Sequence, residues 1–344
     1  MDNTRKRTAR QRFAILAASA VAVVAIIAAT AYSSLYGRIT DRDSTIYIYH
    51  KTGIAAFTDS LAADGTLTKP RRFLTVARAM GVDSVRAGRY MLRAGTGARQ
   101  AAAMFRIGAQ TPLRVTFNNI RTMPQFAAVL GKQLMADSAA FAAILTDDSV
   151  AQANGFRPEE FIGMFIPDTY EFYWTVAPEA FVERMHREYD RFWEPRRQLL
   201  QHTGLNERQV ASLAAIIDEE TARTDEMPTI AGVYINRLRR GMRLQADPTV
   251  KFAMGDFTLR RILRRHLATK SPYNTYLHAG LPPGPIRMPS KAAIDAVLHY
   301  EKHDYLYFCA RADFSGYHSF ARTLAEHNRN ARAYSAALDR LGIK

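Results

Sequence analysis

Apolar positions divide the chain into three regimes. Residues 13–36 carry no charge and are mostly aliphatic or small. At about 1.5 Å per residue, a helix of that length spans a bilayer core of about 30 Å. Residues 37–44 are polar and read as a linker. Short and alternating apolar runs then predict strands at 45–49, 85–92 and 113–117, with helices at 53–61, 70–80 and 96–107 between them. From residue 122 helical spacing takes over, predicting helices at 125–134, 138–145, 158–161, 177–192 and 194–202. Residues 165–170 interrupt them as a loop or short strand. Asn206 is placed to cap a helix that runs into an acidic cluster, Pro228 to open the next helix, and Gly241 to end it. Loops rich in Pro, Gly and polar residues follow at 244–249, 271–276 and 280–286. A helix at 290–299, a strand at 305–310 and a helix from 322 towards 341 complete the pattern. The predicted fold class is α+β: one N-terminal transmembrane helix, a small α+β subdomain, and a helix-rich α+β domain.

Charge orients the first segment. Arg5, Lys6, Arg7, Arg10 and Arg12 precede the apolar run, and the positive-inside rule keeps them in the cytoplasm with the remaining chain outside. A cleaved signal peptide is the rival reading, and the Ala29, Thr30, Ala31 pattern would suit it. The run is longer than a usual signal core, so an uncleaved anchor is expected. The formal net charge is +15. Arg260, Arg261, Arg264 and Arg265 alternate with Leu259, Ile262, Leu263 and Leu267, which predicts an amphipathic basic helix. For a domain outside the membrane, an anionic polymer or lipid surface fits this charge, and nucleic acid does not. The single cysteine, Cys309, excludes an intramolecular disulfide and reads as a buried inert thiol in a strand. No spacing suggests a metal centre or a phosphate loop, so no cofactor is expected.

The candidate chemistry lies in residues 211–221 (ASLAAIIDEET). At about 100° per residue, Val210, Leu213, Ala214 and Ile217 form one stripe, and Glu220 falls on its edge beside Leu213 and Ile216. Asp218 and Glu219 point away from that stripe. A carboxyl group on a buried face loses hydration, its pKa rises, and it can hold a proton near neutral pH. That is what a general acid needs. The bland alternative is a solvated acidic helix end. Nearby loops offer Gln245, Tyr273, Asn274, Tyr276, Tyr317 and His318, whose amides and rings suit sugar hydroxyls and sugar C–H faces. Each is also an ordinary structural residue. Glycoside hydrolysis commonly uses two carboxylates, and Asp247 is the evident second candidate, though an Asp before Pro248 is equally a turn residue. The residues alone leave open whether Asp247 assists Glu220 or the substrate supplies its own nucleophile.

Five motifs occur in one order: 219–221 (EET), 230–238 (IAGVYINRL), 241–250 (GMRLQADPTV), 273–276 (YNTY) and 280–286 (GLPPGPI). Together with 167–170 (PDTY) and 316–320 (GYHSF), they resemble the YceG-like family of membrane-anchored endolytic murein transglycosylases. The resemblance implies a cytoplasmic tail at 1–12, a transmembrane helix at 13–36, a linker at 37–44, a LysM-like subdomain at 45–112 and a catalytic domain at 113–344. It places Glu220 at the catalytic glutamate. It implies endolytic cleavage of the MurNAc–GlcNAc β-1,4 bond in peptidoglycan by a lyase that leaves 1,6-anhydroMurNAc ends, with Gln245, Asp247, Tyr273, Asn274, Tyr276, Tyr317 and His318 as substrate contacts. The implied partners are glycan strands, cytoplasmic membrane lipid and cell-wall synthases (penicillin-binding proteins). The implied location is the cytoplasmic membrane. A lysozyme-like hydrolase and a non-enzymatic, membrane-tethered cell-wall binder are the competing functions. Asp218 stands where many relatives carry a glutamate; because it faces away from the stripe, little effect on chemistry is expected.

Overall fold

A computed structural model describes residues 2–259, 262–340 and 342, with side chains described from residue 12 onward. The chain forms two compact units, one of residues 1–113 with 171–175, the other of residues 114–170 with 176–344.

The first unit opens with helix α1 (Asp2–Tyr36), which contains a stretch, Arg12–Tyr36, long and apolar enough to cross a membrane. Its large apolar side chains are exposed, among them Phe13, Leu16, Val24 and Ile27, as a lipid-facing helix requires. This fits a single-pass anchor. Then come β1 (Ser44–Ile48), β2 (Thr52–Gly53), α2 (Ile54–Ala63), α3 (Pro70–Ala79), β3 (Ser84–Val85), β4 (Gly88–Leu92) and α4 (Ala98–Ile107). β1 pairs antiparallel with β4, and β2 with β3. The single strand expected over 85–92 is therefore two. The break falls at Arg86 and Ala87, just before Gly88, where a Cβ would overlap the Gln110 side chain. Phe57, Phe73 and Phe105 meet edge to face in the core, beside Ile46, Ile48 and Tyr90. The returning segment 171–175 brings Trp174, which packs edge-on against Tyr47 (4.9 Å) and Tyr49 (4.8 Å).

The second unit contains nearly all the remaining elements. They are β5 (Leu113–Phe117), α5 (Met123–Gly131), α6 (Ser138–Leu145), α7 (Asp148–Ala153), a 3₁₀ segment (Pro158–Met164), β6 (Asp168–Phe172), α8 (Pro178–Trp193), a second 3₁₀ segment (Glu194–Leu199) and the short α9 (Leu200–Thr203). After these come α10 (Glu207–Glu220), α11 (Met227–Arg239), α12 (Asp247–Met254), α13 (Lys291–Leu298), β7 (Tyr307–Ala310), β8 (His318–Ala321) and α14 (Leu324–Arg340). β5 pairs with β6, and β7 with β8.

α10 is the central strut. Val210 to Ile217 are buried without a break, because α11, α12, α13 and the first 3₁₀ segment all pack on it. The amphipathic stripe read from sequence is thus only part of its buried surface. Asn206 caps it through a reciprocal pair with Gln209, the side chain of each accepting from the other's backbone N–H (2.9 and 3.0 Å). The loop at 280–286 approaches the first 3₁₀ segment so closely that a Cβ on Gly284 would overlap the Glu159 carbonyl.

The basic stretch differs from expectation. Arg260 and Arg261 lie outside the described residues. Residues 262–270 form a turn and one 3₁₀ turn (His266–Ala268), not an amphipathic α-helix. Side chains compete for the backbone there. His266 Nδ1 accepts from the Leu263 N–H (3.2 Å), and the Asn274 amide donates to the Leu267 and Thr269 carbonyls (2.9 and 2.8 Å).

Candidate active site

Helix α10 ends in three carboxylates, and each has a different fate. Asp218 accepts the Ser290 backbone N–H (2.6 Å) and hydroxyl (2.7 Å) at the start of α13. Glu219 is held between Arg121 and Arg287, each 2.7 Å from its Oε1. Asp218 and Glu219 leave the apolar stripe, as expected, yet both are half-buried and paired with protein groups. The solvated-end reading fails because protein donors, Ser290 for Asp218 and two guanidinium groups for Glu219, occupy these carboxylates. Burial is the main cause that pushes the Asp218 pKa up.

Glu220 faces the larger of two cavities at this helix end, while Glu219 borders a smaller one of about 130 Å³. Glu220 Oε1 accepts a 2.7 Å hydrogen bond from the Tyr234 hydroxyl. The residue is half-buried because it opens onto that space, while its carboxyl group sits deep among protein atoms. Loss of hydration raises its pKa to about 7; Tyr234 opposes the shift, and the negative charge of Asp247 adds to it. Its position at the C-terminal, partially negative end of a helix acts in the same direction.

The cavity measures about 390 Å³, and its walls include Glu220, Tyr234, Arg237, Leu244, Gln245, Asp247, Tyr276, Tyr307, Phe308, Cys309, His318 and His327. Of the residues expected from sequence, Glu220, Gln245, Asp247, Tyr276 and His318 come together here. Asp247 and Pro248 are the first two residues of α12, so the pair is a helix start and not a turn. Asp247 Oδ1 accepts the Tyr276 hydroxyl at 2.6 Å. Gln245 adopts a left-handed backbone (φ 51°), sparsely populated for a residue with a Cβ. It is pinned by its own N–H to the Thr275 carbonyl (3.1 Å) and by the Ala246 N–H to the Thr275 hydroxyl (3.0 Å).

Three expected contacts lie off this wall. Tyr273 packs on Phe252 (4.7 Å between ring centres). Asn274 is fully buried; its amide ties down residues 267 and 269, and its Oδ1 accepts from the Tyr276 N–H (3.0 Å). Tyr317 donates its hydroxyl to Asp225 (2.9 Å). Cys309 is half-buried on the cavity wall, not enclosed in the core, and burial pushes its thiol pKa up.

Tyr234, Arg237 and His327 are wall residues that the sequence reading does not single out. Tyr234 and Arg237 stand three apart on α11, so they share a face. Arg237 is buried and donates to the Leu306 (2.6 Å) and Leu244 (2.8 Å) carbonyls, with its guanidinium 5.2 Å from the centre of the Tyr307 ring. Burial and nearby Arg237 lower the His327 pKa, favouring the neutral ring. Among the described residues, no group of His, Cys, Asp or Glu side chains could hold a metal ion.

Comparison with known proteins agrees with this architecture. The profile of the YceG-like family matches residues 46–333. The endolytic murein transglycosylase of Bacillus subtilis is 27% identical over 314 residues, which cover 86% of each chain. An endolytic murein transglycosylase of Streptococcus pneumoniae is 31% identical over 172 residues, 49% of this chain and 31% of that protein. The crystal structure of a yceG-like protein from Listeria monocytogenes superposes with a TM-score of 0.56 at 26% identity, covering 84% of this chain and 99% of that one. With the family profile spanning most of its length, this chain belongs to the YceG-like family.

Proposed function

We propose that the chain is an endolytic lytic transglycosylase of peptidoglycan, with Glu220 as its acid and base. The observation that carries this reading is a single buried carboxyl group, poised near neutral pH, on the wall of a cavity rich in hydrogen-bonding groups. Protonated Glu220 gives its proton to the bridging oxygen as the MurNAc C1–O bond breaks. GlcNAc leaves with a free 4-hydroxyl. The Glu220 carboxylate then takes the proton of the MurNAc 6-hydroxyl, whose oxygen bonds to C1. The product is a 1,6-anhydro end, and no water is consumed. Because the nucleophile is part of the reacting sugar, its effective concentration is high. Gln245, Asp247, Tyr276 and His318 are the proposed sugar contacts. The names of the B. subtilis and S. pneumoniae relatives support the substrate class.

The basic residues before the apolar run keep the N-terminus in the cytoplasm and the second unit outside the cytoplasmic membrane, where peptidoglycan lies. We assign the first unit's β1–β4 region to a LysM-like subdomain, and cell-wall synthases as partners are part of the same reading.

A second reading has Asp247 as the base that activates water, because its carboxylate opens onto the same cavity. Mass spectrometry of glycan strands digested by the full-length protein separates the two. An anhydro product lacks one water relative to a hydrolytic product. Anhydro ends from wild type and none from Glu220→Gln support the proposal; reducing MurNAc ends would replace it with hydrolysis.

A further inference from the structure

On the cavity wall, His318 is held by a residue outside the motifs that define the site. Glu226 is almost fully buried (5% exposed) and precedes α11 as its cap residue. Its side chain makes no capping bond to that helix. It turns instead to β8, where Oε1 accepts the His318 backbone N–H at 2.8 Å and Oε2 lies 2.7 Å from His318 Nδ1. The neighbouring Asp225 accepts the Tyr317 hydroxyl at 2.9 Å, so two consecutive acids hold two consecutive residues of the β7–β8 hairpin.

A carboxylate offers only acceptor lone pairs, and the positive end of α11 favours a negative charge at this position. The proton of the imidazole must therefore sit on Nδ1. The Phe308 ring, 5.2 Å away and edge to face, fixes the plane of the imidazole. The neutral ring then has its lone pair on Nε2, for which the described residues provide no hydrogen-bond partner.

We propose that Glu226 is a positioning residue that locks the tautomer of His318, so that His318 Nε2 accepts a hydrogen bond from a sugar hydroxyl in the Glu220 cavity. The inference rests on the glycan-cleaving reading. It explains why a carboxylate is buried beside a cavity in which it takes no chemical part. Without Glu226 the ring can place its proton on either nitrogen, and an acceptor becomes a donor facing the wrong group.

The test uses full-length protein in detergent with glycan strands, reading kcat and KM. His318→Asn keeps a donor for Glu226 but removes the outer nitrogen; kcat/KM falls roughly tenfold, mainly through KM. His318→Gln places an amide oxygen near the site of Nε2 and recovers part of that loss. Glu226→Gln weakens kcat/KM to a similar extent, and the double variant Glu226→Gln with His318→Asn is no worse than His318→Asn alone. Fully additive losses, or wild-type kinetics for His318→Asn, overturn the proposal. If Glu226→Gln does not fold, the Asn and Gln variants at 318 decide alone, and equal losses overturn it. Failure of the glycan-cleaving reading looks different: wild type itself then yields no cleaved strands.

Discussion

The Tyr234 hydroxyl donates to Glu220 Oε1 at 2.7 Å, and this bond opposes the burial that raises the Glu220 pKa. The acid is thereby held at about 7, not higher. A group poised there can give up its proton and take one back at little cost in either direction. Tyr234→Phe removes the bond and leaves the ring in place. The expected outcome is an alkaline limb of kcat/KM displaced to higher pH, seen in the pH profile of glycan cleavage; a limb that stays or moves down contradicts the assignment.

Glu220→Gln abolishes cleavage, because an amide cannot supply the proton. It also changes stability in a defined direction. The folded pKa of about 7 lies above the ordinary 4.5, so the native state binds the extra proton between those values. Wild type therefore loses stability as pH rises through that window, and the uncharged amide does not. Denaturation at pH 8 should show the variant at least as stable as wild type, with that advantage shrinking below pH 5. A variant less stable at pH 8 would mean that the carboxylate form is favoured in the fold.

Asp247→Asn removes a negative charge that raises the Glu220 pKa. The alkaline limb should move to lower pH while the product keeps its anhydro end. Loss of hydrolytic product in this variant, had wild type made any, would instead identify Asp247 as the base of a water-dependent reaction.

Asn274→Ala removes a fully buried side chain and leaves the half-buried Leu267 and Thr269 carbonyls and Tyr276 N–H without their partner. Each such loss costs about 1–3 kcal/mol. A lowered denaturation midpoint is expected, together with a raised KM, since Tyr276 is displaced from Asp247. Unchanged stability would show that water takes over the bonds.

The sequence is most legible where a local rule decides. Asn206 and Gln209 cap α10, and Thr122 accepts from the Gln125 N–H to start α5, because capping needs only residues three apart. The phase of α10 likewise singles out Glu220. What happens to Asp218 and Glu219 depends on Ser290, Arg121 and Arg287, which are 72, 98 and 68 residues away, and no helical wheel contains them. Asp247 and Pro248 stay ambiguous in the sequence because the pair is common to turns and helix starts. Residues 262–270 have a helical pattern, but His266 and Asn274 take up the backbone groups that a helix would use. Tyr234 passes as helix filling, since a face turned to a cavity and one turned to a core look alike in periodicity.

The segment 171–175 has a practical consequence for anyone cutting this polypeptide apart. A fragment stopped after residue 113 would lack Trp174, against which the rings of Tyr47 and Tyr49 rest. Both tyrosines would lose their aromatic partner to solvent. Isolating the first unit intact therefore calls for a grafted or co-expressed return segment, not a single truncation.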